Sequence, residues 1–279
     1  MAGESTYASI SGLVANITDT AFLVASEQSV MPNLVKVFRD QDSMAARVWG
    51  NYTGGTIVSL AEVSDLSSQT FTPAAAGTIT PALFGQQYYL TDARIASDPF
   101  GAQSDAGQDL GRVFGVKVDT DLVGNFTGFT GGTVGTAGGT LTWANVQRAA
   151  AYLRANFAPQ PYICVLRPEQ WYYLASASTG VPTLMASPAW MDSLAGNFYQ
   201  SSWGGIDFFV DGNISAGTAA VGAMFARDAN AYDLRRPFRI ETQRDASRGG
   251  GGWELNASII YGEGVYRATF GVQMIGTSS

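Results

Sequence analysis

Two periodicities of apolar and polar residues share the chain, a helical one with spacings of three and four and a strand-like one with a spacing of two. Ile10, Leu13, Val14, Ile17, Ala21 and Val24 predict an amphipathic helix over residues 5–26. Pro32 cannot donate to a helix ladder and marks a boundary, after which residues 33–39 resume as a short apolar element. The best-marked helix spans 105–125, where Leu110, Val113, Phe114, Val118 and Leu122 form a stripe with most of the charges off it. Gly107, Gly111 and Gly115 repeat along it at four-residue spacing, which reads equally as a weak helix or as a groove for close packing. Thr142 predicts the cap of another helix, with Trp143, Val146, Ala150, Leu153 and Phe157 on one face and Pro159 and Pro161 ending it.

Strand signals dominate the second half. Tyr162-Ile163-Cys164-Val165-Leu166 is a continuous apolar run of buried-strand length, and Pro168 opens a short helix over 169–177. Residues 206–210, 219–226 and 232–234 read as further strands. At the end of the chain Trp253, Leu255, Ala257, Ile259 and Tyr261 line one face. Gly262-Glu263-Gly264 predicts a turn, with Tyr266, Ala268, Phe270, Val272 and Met274 on a return strand. The Gly/Thr-rich stretch 125–140 has no Gly-Lys-Ser/Thr ending and reads as a connector rather than a phosphate loop.

Residues 48–91 stand apart. Tyrosines aside, Glu62 and Asp65 are their only ionisable side chains, and Thr, Ser and Ala alternate with isolated apolar residues. Alternation at both ends predicts two strands joined by a tip over 73–81. Such an arm cannot bury a face by itself, and uncovered it is an aggregation hazard. The functional reading is an arm that lies across a neighbouring subunit, and an irregular surface loop is the alternative.

Composition sharpens this. Only 14% of the 279 residues are charged, where about 25% is usual. Basic residues are 14 Arg against Lys36 and Lys117, and aromatics reach 12%. Charge-poor, Arg-biased, aromatic-rich surfaces suit interfaces between subunits. The net charge of −7 argues against a chain that grips nucleic-acid phosphates. With no His and the single Cys164, histidine-dependent triads, His-ligated zinc and an internal disulfide are excluded. Cys164, between Ile163 and Val165, reads as a core residue rather than a nucleophile. Asp207 and Asp211 are the nearest approach to a glycosidase-like carboxylate pair, and a solvated strand edge explains them better. The first residues show no basic segment followed by an apolar one, so a cytoplasmic product is expected.

The order of these elements resembles the major capsid proteins of tailed bacteriophages, of the Hong Kong ninety-seven type. The resemblance rests on several runs taken together. They are Leu110-Gly111-Arg112-Val113-Phe114 with Asp119 to Val123, Tyr162 through Leu174, Gly205 to Val210, Ala223 to Ala226, Ala231 to Arg236 and Leu255 to Ile275. It implies an α+β fold with an N-terminal arm over 1–45 and an extended loop (the E-loop) over 46–96. A peripheral domain with a spine helix would occupy 97–160, an axial domain 161–234, and strands returning to the peripheral domain 235–279.

The implied function is self-assembly into hexamers and pentamers of an icosahedral shell around double-stranded DNA. It also implies a scaffold, a portal and decoration proteins as partners, assembly in the host bacterial cytoplasm, and no cofactor, no membrane and no catalysis. An encapsulin-like compartment holding enzyme cargo is the alternative use of the same fold. Phe71, Phe84 and Tyr88 are the expected apolar contacts of the E-loop with a neighbour. Arg235, Arg236, Arg239, Glu241 and Arg244 are the expected ion pairs between subunits, with Arg248, Asp233 and Asp245 interleaved among them. Some members cross-link through an E-loop lysine; residues 46–96 contain no Lys, so that bond is not expected here. Because the arm begins almost at Met1, no maturation cleavage is expected either.

Overall fold

The computed structural model describes residues 29–39, 43–52, 57–60, 62, 65, 68, 73–97, 101–176, 199–247 and 250–278. The helix expected over 5–26, Phe71 and Arg248 lie outside these residues. The described elements are α1 (Met31–Leu34), β1 (Lys36–Phe38), β2 (Arg47–Tyr52), β3 (Pro73–Ile79), β4 (Ala82–Thr91), α2 (Asp92–Ser97), α3 (Ala102–Gly124), β5 (Thr133–Gly135), α4 (Trp143–Ala155), β6 (Tyr162–Leu166), α5 (Pro168–Ser176), β7 (Tyr199–Trp203), β8 (Ile206–Val210), β9 (Ala220–Ala226), β10 (Asn230–Asp245), β11 (Gly252–Val265) and β12 (Gly271–Gly276).

Six strands in the order β5-β12-β9-β6-β8-β7 form the larger sheet. β6 is buried along its whole length, as a continuous apolar run requires of a central strand. One face carries Cys164, Phe208, Met224 and Met274 against α4 and α5, and Trp143 and Trp171 both close on the Phe208 ring. The Thr142 hydroxyl caps α4 by accepting from the Asn145 amide at 3.4 Å. The opposite face carries Ile163, Val165, Ala223 and Phe225 into a second core shared with α3. The axial-domain expectation began at residue 161, but α4 and β5, which precede it, and β12, near the end of the chain, belong to this sheet and its core.

A four-stranded sheet in the order β1-β10-β11-β4 makes the other layer. Leu255, Ala257, Ile259 and Tyr261 of β11 turn one face inward, as their alternation predicts, and meet Leu110, Phe114, Val118 and Leu122 of α3 in one apolar cluster. Gly107, Gly111 and Gly115 are buried, so the glycine row serves packing. Polar groups on this helix are matched across the same seam. Tyr261 donates to Asp121 at 2.6 Å, and Asn125 donates to Glu263 and to Asn230, both at 3.1 Å. Burial holds the Tyr261 hydroxyl well above the usual tyrosine range and raises the Glu263 carboxyl.

Three expectations are corrected. Gly262-Glu263-Gly264 is not a turn: β11 runs straight through it, and β12 pairs with β9 and β5 in the other sheet. Those glycines are there for close approach, since a Cβ on Gly262 would meet Ile79 at 2.6 Å and one on Gly264 would meet it at 3.1 Å. The segment expected as the arm's tip holds β3, which pairs with β2, while β4 leaves the arm to pair with β11. Phe157 does not continue the buried face of α4. Its backbone turns left-handed at φ 57° and its ring is 90% exposed.

Candidate assembly surfaces

The β2–β3 ribbon is anchored at its base by aromatic and charged groups. Trp49 lies on Tyr266 at 5.0 Å between ring centroids, and Tyr266 meets Phe38 at 5.8 Å. Lys36 sits 4.5 Å over the Tyr266 ring and Arg47 4.3 Å over Phe38. Across the ribbon, a Cβ on Gly77 would stand 2.3 Å from the Trp49 indole, so glycine lets the ring lie flat on the partner strand.

Asp233 is the electrostatic centre of this base. It is fully buried, with Arg47 at 2.9 Å and Arg235 at 2.7 Å, and Arg235 also donates to the Ser43 and Ala45 carbonyls. Both guanidinium groups are largely removed from water and share this carboxylate. The arrangement fastens the strand leading into the arm onto β10.

Beyond that base the described residues 57–60, 62, 65 and 68 are exposed. Among the described residues nine large apolar side chains are exposed, and six of them (Met44, Val48, Ile57, Val58, Leu60 and Leu83) lie within residues 44–83. Scattered exposed apolar residues are ordinary; this concentration in one segment is not. Ile57 is 98% exposed, so no described residue packs on it.

The residues singled out from sequence fall in three places. Phe84 stacks on Tyr261 at 4.6 Å with Lys117 5.2 Å above its ring, and Tyr88 donates to Asp109; both face α3 of their own chain. Hydrogen bonds from Tyr88 and Arg112 hold the Asp109 carboxyl below its usual range, and the same bond raises the Tyr88 hydroxyl. Arg235 is committed to Asp233, and Arg236 donates to Ser258 at 3.2 Å. Arg239 pairs with Glu241 at 3.0 Å and Arg244 with Asp92 at 2.7 Å, all four well exposed. The exposed apolar group of Met44, Val48, Ile57, Val58, Leu60 and Leu83 was not singled out. Its signal was in the sequence, as apolar residues within a stretch almost without charge.

The catalytic candidates do not assemble. Asp207 and Asp211 are four residues apart along β8 and its end, which is about 13 Å in a strand. A glycosidase pair stands about 5–9.5 Å apart. Asp207 lines a groove with Asn33, Leu34, Arg227 and Asp228, whereas Asp211 is buried. Burial pushes the Cys164 thiol far above its usual range, as a core cysteine requires. Among the described residues no group of three acidic, Cys or His side chains could hold a metal, and no helix is long and apolar enough to cross a membrane.

Comparison with known proteins agrees with this geometry. No curated protein sequence is significantly similar to the chain. Among solved structures, that of Mycobacterium phage Che8 superposes with a TM-score of 0.73 at 15% identity, covering 88% of this chain and 91% of that one. The capsid of cyanophage P-SCSP1u gives 0.67 at 15% identity over 90% and 89%. A virus-like particle from Pyrococcus furiosus gives 0.60 at 10% identity over 94% and 98%. These likenesses establish a shared α+β fold. A family model described as phage capsid protein matches residues 75–273, more than half of the chain, and the chain therefore belongs to that family, as a major capsid protein that forms an icosahedral shell of the virion.

Proposed function

We propose that the chain assembles into hexameric and pentameric rings that close around double-stranded DNA. Assembly would take place in the host bacterial cytoplasm, with a separate scaffold, a portal and decoration proteins as partners. The observation that carries this reading is the apolar segment between β2 and β3, in which Ile57 is almost wholly exposed and Val58 and Leu60 are about half exposed. Heterologous contacts of this kind close into rings when identical copies are related by rotation. Each contact is small, and many made at once raise the effective affinity steeply. The exposed pairs Arg239–Glu241 and Arg244–Asp92 supply charges that a neighbour can share at the rim of such a contact. Phe84 and Tyr88 contribute by stiffening β4 against α3 beneath the arm. A net charge of −7 favours enclosing DNA over gripping it.

The test is a variant carrying Ile57→Asp and Val58→Asp, expressed with the neighbouring genes of the phage and viewed by electron microscopy. The expected result is a folded subunit that no longer closes into shells. Shells of normal yield and diameter would sink the proposal, and the nucleic-acid content of wild-type particles tests the enclosed DNA separately.

A further inference from the structure

The junction between the two cores holds a pair of acids that assembly does not explain. Asp119, on α3, is fully buried, and Asp211, just after β8, is 1% exposed. Asp119 Oδ1 accepts the backbone amides of Val30 and Met31, both at 2.8 Å, and its Oδ2 accepts from the Asn213 side chain at 2.9 Å. Asp211 Oδ1 accepts the Asn213 amide at 2.8 Å, and its own amide donates to the Leu166 carbonyl at 2.9 Å. Asp211 Oδ2 is buried and receives no hydrogen bond, and Asn213 bridges the two carboxylates, its backbone amide on Asp211 and its side chain on Asp119. Two ionised carboxylates in such a place would repel each other with little water to screen them.

The charged groups of the surrounding elements are engaged elsewhere. On α3, Lys117 pairs with Asp121 at 2.8 Å. After β6, Arg167 pairs with Glu169 at 2.7 Å and donates to the carbonyls of Gly212 and Ile214. α1 carries no charge. A metal ion is a poor alternative, since the groups around Asp119 are three N–H donors and the Ser29 hydroxyl, which donates to Oδ1 at 3.5 Å, and a hard cation takes about six or more oxygens.

We infer that Asp211 is held as the neutral acid and donates its proton to Asp119, so that a shared proton latches residues 29–31, α3 and the 211–214 loop together. No further reactant is involved: the proton leaves to solvent when the pH rises, and two facing carboxylates remain. The burial of Asp211 and the charge of Asp119 raise its pKa to about 8. An unfolded aspartate ionises near about 3.9. The latch therefore contributes fully at low pH, loses strength as pH rises from about 4, and is gone above about 8. The sign is opposite to that of an ordinary salt-bridged aspartate.

The test compares urea unfolding of the full-length wild-type subunit and Asp211→Asn between about pH 5 and 9. Asn keeps the shape and a donor but cannot ionise. The expected result is that the ratio of the two folding equilibrium constants shifts against the wild type by about tenfold per pH unit up to about pH 8, then levels off. Parallel pH profiles for the two proteins would overturn the inference. If Asp211→Asn does not fold, infrared spectra of the wild type with carbonyl-labelled aspartate decide. A protonated carboxyl present at about pH 6.5 and lost by about pH 10 supports the latch, and its absence at about pH 6.5 overturns it.

Discussion

The six-stranded sheet and the segment between β2 and β3 treat their apolar side chains in opposite ways. In the sheet, Cys164, Phe208, Met224 and Met274 have no exposure at all, and helices α4 and α5 cover them. In the arm, Ile57 is almost wholly exposed and Val58 and Leu60 about half. The first region is complete within one chain. The second leaves apolar side chains exposed, which we propose a neighbouring subunit covers, while its base is fastened to β10 through Asp233.

Substitutions separate the two regions. Phe208→Ala, in the sheet between Trp143 and Trp171, is expected to cost about 3–5 kcal/mol of subunit stability, read from urea midpoints of unassembled protein. Asp233→Ala removes the buried carboxylate between Arg47 and Arg235 at the arm's base and is expected to cost a similar amount, about 3–5 kcal/mol. That variant should also make residues 43–60 cleavable by protease at concentrations the wild type resists. A base that stays protected would break the view of Asp233 as the fastening. Ile57→Asp should change subunit stability by less than about 0.5 kcal/mol while removing shells, the reverse of Phe208→Ala. Arg244→Ala should be smallest, leaving the unfolding midpoint unmoved because its pair with Asp92 is open to water, with any effect confined to assembly yield.

Much of the rigid body was legible in the sequence because its signals are local. The apolar run over β6, the cap at Thr142 and the stripe Leu110, Phe114, Val118 and Leu122 each depend on neighbours a few residues away. What escaped depends on distant partners. Gly262-Glu263-Gly264 has turn chemistry, but its glycines make room for Ile79, far away in the chain. β3 was read as a tip because Ala74-Ala75-Ala76-Gly77 has no periodicity, and its strand is fixed by pairing with β2. Asp119 looks like any acid off a helix stripe, and its burial is set by amides 88 and 89 residues earlier. In the proposed assembly surface the charge-poor stretch is plain in the sequence, whereas which of its apolar side chains stay exposed is set by the fold. Phe84 and Tyr88 stood out as large aromatics, and aromatics of that size are the ones a chain uses on itself, here against Tyr261 and Asp109.

The central claim is that the arm's apolar side chains are covered by a neighbouring subunit, and hydroxyl-radical footprinting of residues 57–60 in intact particles and in dissociated subunits tests it most directly. The account predicts strong labelling of Ile57, Val58 and Leu60 in free subunits and marked protection in the shell, with Phe208 protected in both. Equal labelling of those three residues in shells and free subunits would contradict it.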